Sequence, residues 1–210
     1  MKKKKVIILT IIILTIIFAV IVASKLISKT EDSETKLQAI YDSLNTNNAY
    51  ALTIEQNDNN KRIMAKKDDK TVIDQYSEDS RITTLVKDDN TYLILHNKEE
   101  YYLYERNNID QSILTEGLKD LLNKSYTIGT EKVKGKKYNY EEYAGSTVFV
   151  ISNPLSLNEE EIKTRLYFNK KDELEYVKTI YGEESELLKI NLTYEVDNSL
   201  FEIPSNYAEN

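Results

Sequence analysis

Few residues in this 210-residue chain have the chemistry for a reaction centre. His96 is the single histidine and cysteine is absent, so a multi-histidine metal centre, a thiolate site, a disulfide framework and a lipid-modified N-terminal cysteine are excluded. Neither a Gly-x-Ser-x-Gly elbow nor a glycine-rich phosphate loop occurs. His96 stands in the polar run His-Asn-Lys-Glu-Glu at 96–100 and reads as a surface turn residue, because a general base needs an oriented partner and none is in sight. The acidic runs Asp68-Asp69, Asp88-Asp89 and 159–161 have the oxygens for a hard cation. They lack the alternating ligands around a central glycine that a calcium loop uses, and read as solvated turns. Asn191-Leu-Thr193 matches a glycosylation acceptor but falls inside a strand pattern. The expectation is a protein with no catalytic residue, no metal and no cofactor.

What remains is apolar surface. Sixteen tyrosines and four phenylalanines carry the aromatic load without a tryptophan. They crowd at Tyr101, Tyr102 and Tyr104, at Tyr138, Tyr140 and Tyr143, and at Tyr167, Tyr176 and Tyr181. Cross-strand aromatic pairing accounts for such crowding, and an amphipathic contact surface is the functional alternative, since tyrosine joins an apolar ring to a polar tip. Three runs alternate in step: Tyr50, Leu52 and Ile54; Leu166 and Phe168; Ile190, Leu192 and Tyr194, each with polar residues on the other parity. That alternation places these eight on one buried face.

The elements that would position them follow from periodicity. Leu37, Ile40, Tyr41 and Leu44 define a one-faced helix with Asp32 or Ser33 as N-cap, stopped by the polar run 45–48. Strands then follow at 50–54, 62–66, 72–76, 82–86, 92–95 and 101–104, separated by short polar turns. In 92–95 and 101–104 both parities are apolar, so those strands are covered on both faces or expose a sticky one. Leu114, Leu118, Leu121 and Leu122 mark a second helix over 110–124, with Asp110 as cap and Ile109 against Leu114 as a staple. Gly117 in its middle costs about 1 kcal/mol relative to alanine. Strands resume at 126–133, 138–140, 147–151, 165–168 and 174–181, and end in the clear alternation from Leu188 to Val196. Eleven or twelve strands and two helices, with no helix between most strand pairs, specify an α+β fold built on one large antiparallel sheet.

The N-terminus sets the address. Residues 6–23 contain no charge and follow Lys2 to Lys5. Such a helix spans roughly 27 Å, close to the ~30 Å hydrocarbon core. The stretch is longer than a signal-peptide core and has no good small-residue cleavage site, which favours an uncleaved single-pass transmembrane anchor over secretion after signal cleavage. The lysines stay cytoplasmic and the domain lies outside. Residues 1–29 are thus expected to form the anchor and 30–210 an extracytoplasmic domain. The first 29 residues hold six lysines and no acid, leaving 22 basic against 35 acidic residues and a net charge of −13. That balance excludes nucleic acid as a partner.

The helix before a long meandering sheet, the mid-chain helix, the run Gly-Lys-Lys-Tyr-Asn-Tyr-Glu at 135–141 and the ending Asp-Asn-Ser-Leu-Phe-Glu-Ile-Pro-Ser-Asn-Tyr at 197–207 resemble the LolA/LppX/RseB superfamily over about residues 34–208. The resemblance implies a curved, half-open β-barrel with helices on its concave face, holding an acyl chain, a lipid or a lipidated protein segment. It also turns the shared face of Tyr50, Leu52, Ile54, Leu166, Phe168, Ile190, Leu192 and Tyr194 into the lining of a cavity. A protein-binding sensory module of the cell envelope with the same fold and no lipid is the alternative, its partner an envelope protein.

Overall fold

The computed structural model describes residues 34–105, 113–145 and 162–210. The expected span at 6–23, the caps at Asp32, Ser33 and Asp110, the strand at 147–151 and the acidic run 159–161 lie outside the described residues. Among those described, no helix is long and apolar enough to cross a membrane.

Helix α1 (Lys36–Thr46) precedes six strands: β1 (Ala49–Glu55), β2 (Lys61–Lys67), β3 (Lys70–Ser77), β4 (Ser80–Lys87), β5 (Asn90–Leu95) and β6 (Glu100–Glu105). Helix α2 (Ile113–Leu122) follows, then β7 (Tyr126–Val133), β8 (Lys136–Ala144), β9 (Ile162–Phe168), β10 (Leu174–Tyr181), β11 (Glu184–Thr193) and the two-residue β12 (Ala208–Glu209). All twelve strands join one open sheet in the order β12-β6-β5-β4-β3-β2-β1-β11-β10-β9-β8-β7. This is the expected α+β architecture. Every pairing is antiparallel except β12 on β6, where Ala208 and Glu209 lie beside Glu100 and Tyr101.

The turn residues explain the tight hairpins. Asp88 and Asp89 take φ of 53° and 60° between β4 and β5, and Lys134 and Gly135 take 47° and 82° between β7 and β8. Two-residue loops with both φ values positive match the right-handed twist of the strands they join. The pair Asp88-Asp89 is therefore hairpin geometry, supplied by a residue type that tolerates the left-handed region.

The sheet has two faces with different covers. On one, called face A, α1 and α2 bury Leu37, Leu44, Leu118 and Leu121 against Leu52, Ile54, Leu166, Val177, Leu188 and Ile190. That cluster reaches from Met64 on β2 to Tyr126 on β7. Six inter-strand spacings of ~4.8 Å make roughly 29 Å, more than two helices of roughly 10 Å diameter cover side by side. The helices therefore cover only part of the face.

Face B has two separate clusters. The C-terminal segment lays Phe201, with Val196, Leu200, Ile203 and Tyr207, on Ala51, Ala65, Val72, Leu85 and Ile94. Farther along, Tyr138, Tyr167 and Tyr176 pack with Val133, Tyr140 and Leu187. Their rings meet edge-on at centroid distances of 5.5 to 6.4 Å, the geometry aromatic quadrupoles prefer. Here the tyrosine crowding is sheet packing. The last strand differs from its alternation pattern: β11 stops at Thr193, and Val196 turns over to the face B cluster.

Candidate functional site

Helix α1 is held from a distance. The carboxylate of Glu141, on β8 and 5% exposed, accepts the backbone N–H of Lys36 at 2.8 Å and that of Leu37 at 3.3 Å, while the Tyr143 hydroxyl donates to it at 2.9 Å. An anion at a helix N-terminus satisfies orphaned donors and meets the positive end of the dipole. Lys36 adds an ion pair to Asp172 and lies 5.3 Å from the centre of the Phe168 ring. These contacts fix the N-terminal end of α1 against β8 and β9 on face A.

The residues expected to line a cavity lie beneath it. Tyr50, Leu52, Ile54, Leu166, Phe168 and Ile190 share one cluster, all buried, and Leu192 packs against them. Cross-strand register confirms the common face, with Ile54 opposite Ile190 and Leu52 opposite Leu192. Helix side chains pack on them from above. Tyr194 lies past the end of β11, 40% exposed and outside the cluster.

Past the helices, face A continues over β3 to β6 as an apron. Register aligns Met64, Ile73, Thr84, Leu93 and Tyr102 in one row across five strands. A second row holds Arg62, Gln75, Ile82, Leu95 and Glu100, and a third Lys66, Thr71, Val86, Thr91 and Tyr104. Ile73, Leu93, Leu95 and Tyr102 are only half-buried, and Ile82 and Tyr104 are 39% and 43% exposed. Apart from Met64, none of these residues belongs to the cluster under the helices. The two-sided apolarity of 92–95 and 101–104 thus has its explanation: face B packs on the C-terminal segment, and face A is left partly open. A hollow of about 360 Å³ opens at the other end of face A, walled by Lys36, Ile128, Thr130, Asn139, Glu141 and Phe168. Ile128, on the edge strand β7, is 52% exposed at its mouth.

His96 has partners that the sequence did not show. Arg81 pairs with the buried carboxylate of Asp74, its Nη2 at 2.8 Å. The Thr83 hydroxyl donates to Asp74 at 2.8 Å and also lies 2.8 Å from His96 Nε2, and His96 Nδ1 is 3.0 Å from the Tyr207 hydroxyl. Thr83 gives its proton to Asp74 and so accepts from Nε2–H. In the neutral imidazole Nδ1 then accepts from the Tyr207 hydroxyl. Burial, with the Arg81 charge adding to it and Asp74 opposing, pushes the His96 pKa below its usual value. Both ring nitrogens are engaged, and the chain Asp74–Thr83–His96–Tyr207 ties the C-terminal segment to the sheet. Its members are up to 133 positions apart, and no local motif announces them.

On face B, Glu131 accepts from Tyr167 and Arg165, both at 2.7 Å, and from Lys178 at 3.3 Å. Arg165 also pairs with Glu142. The hydrogen bonds from Tyr167, Arg165 and Lys178 hold Glu131 below the usual carboxylate range against the opposing effect of burial. The charges compensate one another, which suits cross-strand stitching. Among the described residues no group of three or more potential ligands is placed to hold a metal ion.

No family model matches this sequence, and no curated protein matches it. Among solved structures, the chain is similar to an uncharacterized conserved protein from Thermus thermophilus, at 8% identity over 84% of this chain and 99% of that one, with a TM-score of 0.43. It is also similar to the lipoprotein LppX of Mycobacterium tuberculosis, at 12% identity over 77% of this chain and 95% of that one, with a TM-score of 0.45.

Proposed function

We propose that this domain is a non-catalytic binding module that holds an acyl chain on face A, beside helices α1 and α2, and is carried outside the membrane on an anchor at residues 1–29. The observation that carries the reading is the apron of β3 to β6. Its strands bury Val72, Leu85 and Ile94 on face B yet leave Ile73, Leu93, Leu95 and Tyr102 partly open on face A. Sheet faces that are apolar and accessible are binding surfaces or aggregation hazards. It adjoins the helix-covered part of the same face, where an extended apolar ligand loses water contact. The sequence resemblance to acyl-chain carriers points the same way. Tyr50, Leu52, Ile54, Leu166, Phe168, Ile190 and Leu192 then serve as the packed floor against which the helices close, and the ligand lies next to them.

Lipid extracted from protein purified without added fatty acid, identified by mass spectrometry, tests the reading. A bound acyl compound, lost in Leu93→Asp with the fold intact by circular dichroism, is the expected outcome. If the wild-type protein carries no lipid and takes up no fluorescent fatty acid, the acyl-binding function is refuted.

A further inference from the structure

We infer that the ligand of face A ends in a carboxylate held at Lys66, Thr71 and Thr91, which makes it a fatty-acid-like amphiphile. The inference rests on the acyl-binding reading above and names the chemistry of the ligand's polar end. Beyond residue 29 the chain carries a net charge of −13, so a cationic patch is out of character for the domain. The face A rows of β2 to β6 nonetheless hold two cations, Lys66 and Arg62, and one acid, Glu100. Arg62 is engaged: with the Gln75 amide turned to accept, its Nη2 lies 2.8 Å from the oxygen. Glu100 is on β6, at the far end of the Arg62 row. Lys66 forms no ion pair with any described residue.

Beside Lys66 lie two hydroxyls that are themselves unsatisfied. Thr71 stands directly opposite Lys66 in the β2–β3 register, and Thr91 stands two strands farther along the same row, across Val86. Thr91 is 4% exposed, and the Oγ1 atoms of Thr71 and Thr91 are both buried without a hydrogen-bond partner. A buried polar group left unpaired is costly, so native structures keep few of them. Thr71 and Thr91 flank Val86, each one strand spacing of ~4.8 Å from it, so a carboxylate above Val86 has a hydroxyl on either side. The four-carbon stem of Lys66, directly opposite Thr71, is long enough to reach the same place. One ammonium without an ion pair among the described residues and two hydroxyl donors match a monoanion. The tail then runs down the strands from Val86 along Thr84, Leu93 and Ile82, the accessible part of the apron.

Titration of the full-length protein with decanoate and with decan-1-ol separates the head group from the chain. Decanoate should bind about tenfold more tightly, the worth of one charge-assisted hydrogen-bonded contact. Lys66→Gln should bring decanoate down to the level of decanol and leave decanol binding unchanged. Thr91→Val should erase part of the preference without lowering the melting temperature. Equal binding of the two probes by the wild type, or a preference that survives Lys66→Gln, overturns the inference while leaving acyl binding in place. A preference untouched by Thr91→Val overturns the position assigned to the head group. Binding of neither probe refutes the acyl-binding reading itself.

Discussion

Replacing Glu141 by alanine should detach the first turn of α1 and loosen the cover of face A. The Glu141 carboxylate accepts the N–H groups of Lys36 and Leu37 and the hydroxyl of Tyr143. Losing a side-chain acceptor at a helix N-terminus costs about 1–2 kcal/mol. Removing a partly buried negative charge from the dipole end adds about 0.3–2 kcal/mol. The expected loss is therefore about 1–4 kcal/mol, measured by urea unfolding with an unchanged m-value. Glu141→Gln keeps one acceptor oxygen and should recover about half of it. Native-state hydrogen exchange locates the effect, because the amides at the start of α1 should lose protection before those of β1 and β11. If the helix is the gate of face A, the alanine variant also takes up an apolar dye faster than the wild type. A loss below about 1 kcal/mol, or exchange that rises uniformly through the sheet, would show that Leu37, Leu44 and their neighbours hold α1 without the carboxylate.

Two further outcomes follow from the same geometry. His96 has a folded-state pKa below its unfolded value of about 6.5, so on acidification the unfolded chain takes up a proton that the folded one refuses. Stability should be full above that pH and fall as pH drops through it toward the folded pKa, and His96→Gln should flatten this part of the profile of urea midpoint against pH. The two regions of face A should also answer truncation differently: Leu166→Ala, in a fully buried site, should cost about 2–5 kcal/mol in chemical denaturation. Leu93→Ala, on the half-open apron, should cost less than about 1 kcal/mol, and a cost equal to that of Leu166→Ala would mean the apron is ordinary core.

The parts of this protein that the sequence determines by itself are those fixed by neighbours a few residues apart. Alternation over 50–54 and 188–192 assigns one face of β1 and β11, because side chains on a strand point alternately and only one parity is apolar. The polar pairs Asp88-Asp89 and Lys134-Gly135 mark tight hairpins, because few residue types tolerate positive φ. The spacing of Leu37, Ile40, Tyr41 and Leu44 predicts α1 for the same local reason. Composition excludes thiolate and multi-histidine chemistry outright.

Tertiary structure decided what depends on residues far apart in the chain. Alternation says that Leu52, Leu166 and Ile190 share a face, but not that two helices pack on them while Ile73 and Leu93 stay open. The pattern also runs on through Tyr194, although β11 ends at Thr193, whose partner Ala51 is its last on β1. Caps and networks are harder still to read. The acceptor at the start of α1 is Glu141, about a hundred positions away, and His96 finds Tyr207 at a similar separation. A carboxylate or an imidazole carries no mark of its partner in sequence, because hydrogen bonding requires only proximity and angle, and both are created when the sheet brings distant strands together.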